Sequence, residues 1–140
     1  MTLGARQVYL DAIRRTKAVL SPWGWGEACL RDYETFHLGA VLIKPSSDHV
    51  ESHCDVYRAG ETYVACRPDF ADLPEIMDDV VRRWDDYLEM RQRCKRLAVR
   101  AWQPRTVARL VAKVVGQCWQ RRGERWPSEL LEHVENDENS

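Results

Sequence analysis

The run Phe36-His37-Leu38-Gly39-Ala40-Val41-Leu42-Ile43, closed by Lys44-Pro45-Ser46-Ser47, decides how the fold is read. It is apolar on both faces, as a strand covered on both sides would be. Two further strand-like runs follow, His49–Arg58 and Thr62–Arg67, with Ala59-Gly60 between them. Connections this short imply antiparallel neighbours, so the three runs read as an antiparallel meander. In the second run Val50, Ser52, Cys54 and Val56 alternate with His49, Glu51, His53, Asp55 and Tyr57. Alternation puts the first set on a packed face and the second on the opposite one.

Outward from this core, helical periodicity takes over. Tyr9, Ala12, Ile13, Thr16, Val19 and Leu20 recur at helical spacing, predicting a helix over 4–20 that Ser21-Pro22 ends. Residues 27–34 form a short helical turn in this reading. Beyond the strands, Asp72 reads as the cap of a long helix, with Pro74 in its first turn and Glu75 three residues after the cap. Its stripe Leu73, Ile76, Met77, Val80, Val81, Trp84, Tyr87 and Leu88 continues in phase through Arg91, Cys94, Lys95 and Ala98. Pro104 opens a last long helix over 104–122, with Val107, Leu110, Val111, Val114 and Cys118 on its packed side. The expected fold is a single α+β domain over 1–125: an N-terminal helix, a three-stranded antiparallel meander and two long C-terminal helices packed on one sheet face. Residues 126–140 read as a mobile acidic tail.

Length and composition bound the answer. The 140 residues suit one domain, and 44% apolar residues argue for a folded core. The longest uncharged apolar run falls far short of a membrane span, so no membrane partner is expected. The start Met1-Thr2-Leu3-Gly4-Ala5-Arg6 lacks the layout of a secretory signal. Five cysteines without CxxC spacing fit a reducing, cytoplasmic setting.

The formal net charge of −1 hides strong segregation. Residues 1–47 carry six basic and four acidic groups, +2, whereas 48–90 carry four against twelve, −8. Residues 91–125 then hold eleven basic groups against Glu124 alone, +10, and 126–140 are −5. Part of this order complements helix dipoles, acids early and bases late in the helix that Asp72 opens. Arg91, Lys95, Arg105, Arg109 and Lys113 have no such local explanation.

The basic extension 91–125 is the main functional candidate. Clustered cations neutralise phosphates and release counterions, and interleaved tryptophans stack on bases or anchor a partner. The residues selected are Arg91, Arg93, Lys95, Arg96, Arg100, Trp102, Arg105, Arg109, Lys113 and Trp119, with Trp126 beyond them. The competing reading is a solvated helix face paired with the acids of 48–90 and with the acidic tail, its tryptophans inside the core. Gln103–Leu110 resembles the second helix of a helix-turn-helix, but Arg96 and Arg100 stand where its partner helix needs apolar packing. The element order resembles that of the double-stranded RNA-binding module. That module opens its later helix with lysines; here Asp72-Leu73-Pro74-Glu75-Ile76-Met77-Asp78-Asp79 would repel phosphates, so its function does not carry over.

Two other classes compete. The acidic helix 72–89 with Trp anchors fits a small inhibitor or adaptor that covers a partner protein. The strand face His49, Glu51, His53 and Asp55 is the one candidate for a metal or an acid–base set, near His37 or Cys66, though no closed zinc spacing is present. A wet sheet face explains the same pattern. Walker, dinucleotide, GxSxG and HExxH motifs are absent, so no cofactor and no catalytic residue is assigned. Cys94 and Cys118 fall on helix stripes as core residues, Cys29 beside Glu27 and Asp32 is a poor thiolate, and Trp23 and Trp25 read as core plugs. The expectation is thus a non-enzymatic binding protein engaging nucleic acid or an acidic surface, with self-association open through its unlike halves.

Overall fold

A computed structural model describes residues 3–52 and 54–123. The acidic segment 126–140, Trp126 and His53 lie outside the described residues. The chain divides into two compact units, Met1–Val99 and Arg100–Ser140.

The first unit runs α1 (Leu3–Arg15), β1 (Ala18–Leu20), α2 (Leu30–Leu38), β2 (Val41–Pro45), β3 (Val64–Cys66), α3 (Leu73–Arg82), a 3-10 helix (Trp84–Tyr87) and most of α4 (Leu88–Ala101). The sheet order is β1-β2-β3 and both pairings are parallel, Val19 opposite Leu42 and Lys44 opposite Ala65. The antiparallel meander is therefore wrong, and three local causes account for it.

The first lies in the run that opened the reading. Phe36, His37 and Leu38 are the last turn of α2, not strand. Gly39 takes φ +84° and donates its N–H to Thr35 O at 3.0 Å, a left-handed cap that only glycine adopts without strain. Strand geometry begins at Val41, and all five residues of β2 are buried. α2 is thus the crossover that lets β1 and β2 run parallel.

The second cause is the segment 46–63, which is a loop rather than a strand. Cys54 and Asp55 sit at φ +67° and +52°, and the turn is closed by Ser52 Oγ accepting from Val56 N–H at 2.9 Å. Asp48 Oδ1 accepts from Ala59 N–H at 2.8 Å and from the Tyr63 hydroxyl at 3.0 Å, pinning the loop at both ends. The side chains expected inward, Val50, Cys54 and Val56, do pack on the core cluster of Phe36, Leu42, Tyr57 and Tyr63. Tyr57, expected on the opposite face with Glu51 and Asp55, is instead buried in the same cluster as Val56, so strand-like alternation fails at the end of this segment.

The third is at the N-terminus. The helix stops at Arg15, and Val19 and Leu20, which continue its spacing, belong to β1. The helices also cover both sheet faces rather than one. Leu42 packs with Phe36 of α2 and Cys94 and Ala98 of α4. Val41 and Ile43, which alternate with it, pack with Val80, Leu73 and Ile76 of α3. Double coverage is the usual condition of a parallel sheet.

The helix predicted from Asp72 is broken at the 3-10 helix into α3 and α4. Asp72 precedes α3, but its carboxylate accepts from Arg67 N–H at 2.9 and 3.1 Å instead of capping the helix. In the second unit, α5 (Pro104–Arg121) starts at the predicted proline. Its apolar side is not packed as expected: Val107, Val111 and Val114 are 36, 54 and 50% exposed, and Cys118 is exposed. Among the described residues no helix is long and apolar enough to cross a membrane.

Candidate functional site

Parallel strands end at a common edge, so the loops after β1 and β2 meet there, and ligands of open α/β sheets bind outside these carboxyl ends. β1 leads into Ser21-Pro22-Trp23-Gly24-Trp25-Gly26-Glu27-Ala28 and then the N-terminus of α2. β2 leads into Ser46, Ser47, Asp48 and His49. The two loops touch twice: Trp23 Nε1–H donates to Ser47 Oγ at 3.4 Å, and His49 Nε2 lies 2.8 Å from Glu27 Oε1.

Beneath them one carboxylate organises the edge. Asp32, fully buried at the third position of α2, accepts from Ser21 Oγ–H at 2.5 Å and from the Tyr57 hydroxyl at 2.7 Å. It also accepts from the Cys29 N–H and thiol, each at 3.2 Å. The end of β1, the start of α2 and the loop 46–63 are thereby tied to one side chain. Lys44, equally buried on β2, places Nζ 3.3 Å from Asp32 Oδ2. That nitrogen has no acceptor in hydrogen-bonding geometry among the described residues, so the pair is held by charge rather than by a directed bond. Burial, and next the bond to Asp32, push the Tyr57 phenol far up, which keeps it a neutral donor. The Cys29 thiol donates to the same carboxylate.

Above this compensated floor the rim is aromatic and polar. Trp25, between Gly24 and Gly26, is fully exposed, and Trp23 is 42% exposed. The expectation that both plug the core is wrong, because the glycine-flanked loop lifts them off the sheet. The leading N–H groups of α2 carry the positive end of its dipole towards the same edge. A ring face on Trp25 and hydrogen bonds to Glu27 and His49 are the interactions this rim offers.

The residues singled out from the sequence are placed differently. Arg91 lies 3.9 Å over the Trp84 ring and is half-buried, so it closes the core rather than facing a partner. Arg93 pairs with Glu61 at 2.7 Å. Lys95, Arg96 and Arg100 are exposed on α4, Trp102 is exposed after it, and Arg105, Arg109 and Lys113 are exposed on α5, where Trp119 is half-buried. The His49, Glu51, Asp55 set is not brought together: His49 faces Glu27, Asp55 pairs with Arg58, and Glu51 is exposed. Among the described residues no cluster of His, Cys, Asp and Glu could hold a metal ion. A cleft of ≈ 390 Å³ lies instead beside Glu61, Arg83, Asp86, Tyr87, Met90 and Arg93. Its cations are already engaged, Arg83 with Asp86 at 2.9 Å and Arg93 with Glu61, and it opens before β3 rather than at the carboxyl edge.

Sequence reasoning missed Asp32, Lys44 and Tyr57. One signal was present: a lysine inside the apolar run Val41–Pro45 requires a buried counter-charge. Comparison of the chain with protein-family models, with curated proteins and with solved structures gives no match in any of the three.

Proposed function

We propose that the first unit binds a small ligand carrying a hydroxylated ring, of nucleoside or sugar type, at the carboxyl edge of its parallel sheet. The observation that carries this is the convergence there of an exposed tryptophan, a polar rim pair and a floor whose charges are mutually compensated. Trp25 supplies a face for the ring, and Glu27 and His49 take its hydroxyl or amine hydrogens and lone pairs. The Asp32 network fixes both loops without lending its own groups to the ligand. Small-ligand sites pair apolar surfaces with few polar groups that set orientation.

Saturation-transfer NMR against nucleosides, nucleotides and monosaccharides tests the reading. Binding of at least one ring class is expected, weakened about tenfold by Trp25→Ala, the size of a lost stacking contact, and weakened again by Glu27→Gln. No binding by any member of the panel, or binding equal in both variants, would remove the reading.

A further inference from the structure

The second unit carries a different surface, independent of the carboxyl edge. Residues 100–123 hold six cations, Arg100, Arg105, Arg109, Lys113, Arg121 and Arg122, and no carboxylate. Arg105, Arg109 and Lys113 follow at four-residue spacing on one face of α5, about 6 Å apart along the axis. Trp102, 62% exposed, sits between Arg100 and Arg105 where α4 gives way to α5. Cations in a row beside an aromatic face are the two elements with which proteins hold unpaired nucleic acid strands.

We infer that this surface binds single-stranded nucleic acid, Arg100, Arg105, Arg109 and Lys113 meeting phosphates and Trp102 stacking on a base. Arg105, Arg109 and Trp102 also make contacts within the chain, so they meet the strand in addition to those contacts. An anionic lipid surface is the competing partner, because the cationic row lies about 160° around α5 from the exposed Val107, Val111 and Val114, as in a helix lying on a membrane. The exposed Trp102 beside the cations favours the strand, and vesicles are the competing arm of the test. Uncharged or weakly acidic partners leave the row without counter-charge.

Fluorescence anisotropy of the full chain with labelled oligo-dT and oligo-U strands is the test. Four phosphate contacts on a single strand give a salt slope near −2.8, a loss of about 50-fold between 50 and 200 mM salt. Arg100→Glu with Lys113→Glu, both at exposed positions, should roughly halve that slope, and Trp102→Ala should cost about tenfold. Circular dichroism confirms that each variant stays folded, and Arg109→Gln provides an independent milder change expected to lower the slope by about 0.7. No binding at low salt, an unchanged affinity in the double variant, or equal binding to polyglutamate or to phosphatidylcholine–phosphatidylserine vesicles would overturn the inference.

Discussion

Replacing Asp32 with alanine removes the one acceptor shared by Ser21, Tyr57 and Cys29 and the counter-charge of Lys44. Both charged side chains are fully buried, so Lys44 is left as an uncompensated ion, which costs about 3–5 kcal/mol. The stranded donors each add a desolvation cost, but they share the acceptor and do not sum. With a urea slope of about 1.5 kcal/mol per molar, a loss near 4 kcal/mol moves the unfolding midpoint down by about 2.7 M. That is a large part of the 5–15 kcal/mol typical of a whole domain. Lys44→Met alone should also destabilise, because it leaves the carboxylate uncompensated, whereas the double variant should lose less than the two singles together, by about 2 kcal/mol. Urea unfolding followed by far-ultraviolet circular dichroism reads all three. A cost below about 1 kcal/mol for Asp32→Ala, or additive singles, would refute the claim that this pair and its hydrogen bonds hold the edge together.

Other consequences are simpler. Trp25→Ala should leave stability within about 0.5 kcal/mol, since the residue is fully exposed, as thermal unfolding will show. Gly39→Ala meets no steric obstacle but places a side chain at φ +84°, and should cost about 1–2 kcal/mol in the same assay. Burial pushes the Cys94 thiol up to about 12 from an ordinary value of 9. Its folded-state value is raised, so its contribution is complete below pH 9 and is lost as the pH rises towards 12, about 2 kcal/mol by pH 10.5; Cys94→Ala should flatten that part of the stability profile. A thiol-reactive dye should label exposed Cys118 in the native state, while Cys66 and Cys94 stay protected until unfolding.

Much of the helical layout was legible, because Pro104 and the stripe from Leu73 to Val80 act through local geometry. Strand direction was not, since it depends on what the chain does between strands. Reading Phe36–Ile43 as one strand hid the Gly39 cap, and with it the crossover that makes β1 and β2 parallel. The pattern from Val50 to Val56 gave the right inward side chains for the wrong backbone, because a loop pinned by Asp48 and Ser52 can bury the same set. The cations of 91–125 are visible in the sequence but their fates are not: Arg91 is drawn over the Trp84 ring, and Arg93 to Glu61, 32 residues away. The Asp32–Lys44 pair was invisible for the same reason, as its members are joined only once α2 lies beside β2.

We propose the carboxyl edge of the parallel sheet as the place where the first unit meets its ligand. Amide spectra of nitrogen-15-labelled protein, titrated with the nucleoside and sugar panel to about 5 mM, suited to affinities as weak as millimolar, test it most directly. Shifts confined to Ser21–Leu30 and Ser46–His49 are expected, with the Trp25 indole N–H among the largest. Shifts centred instead on Arg83, Tyr87 and Arg93, or none with any ligand, would contradict it.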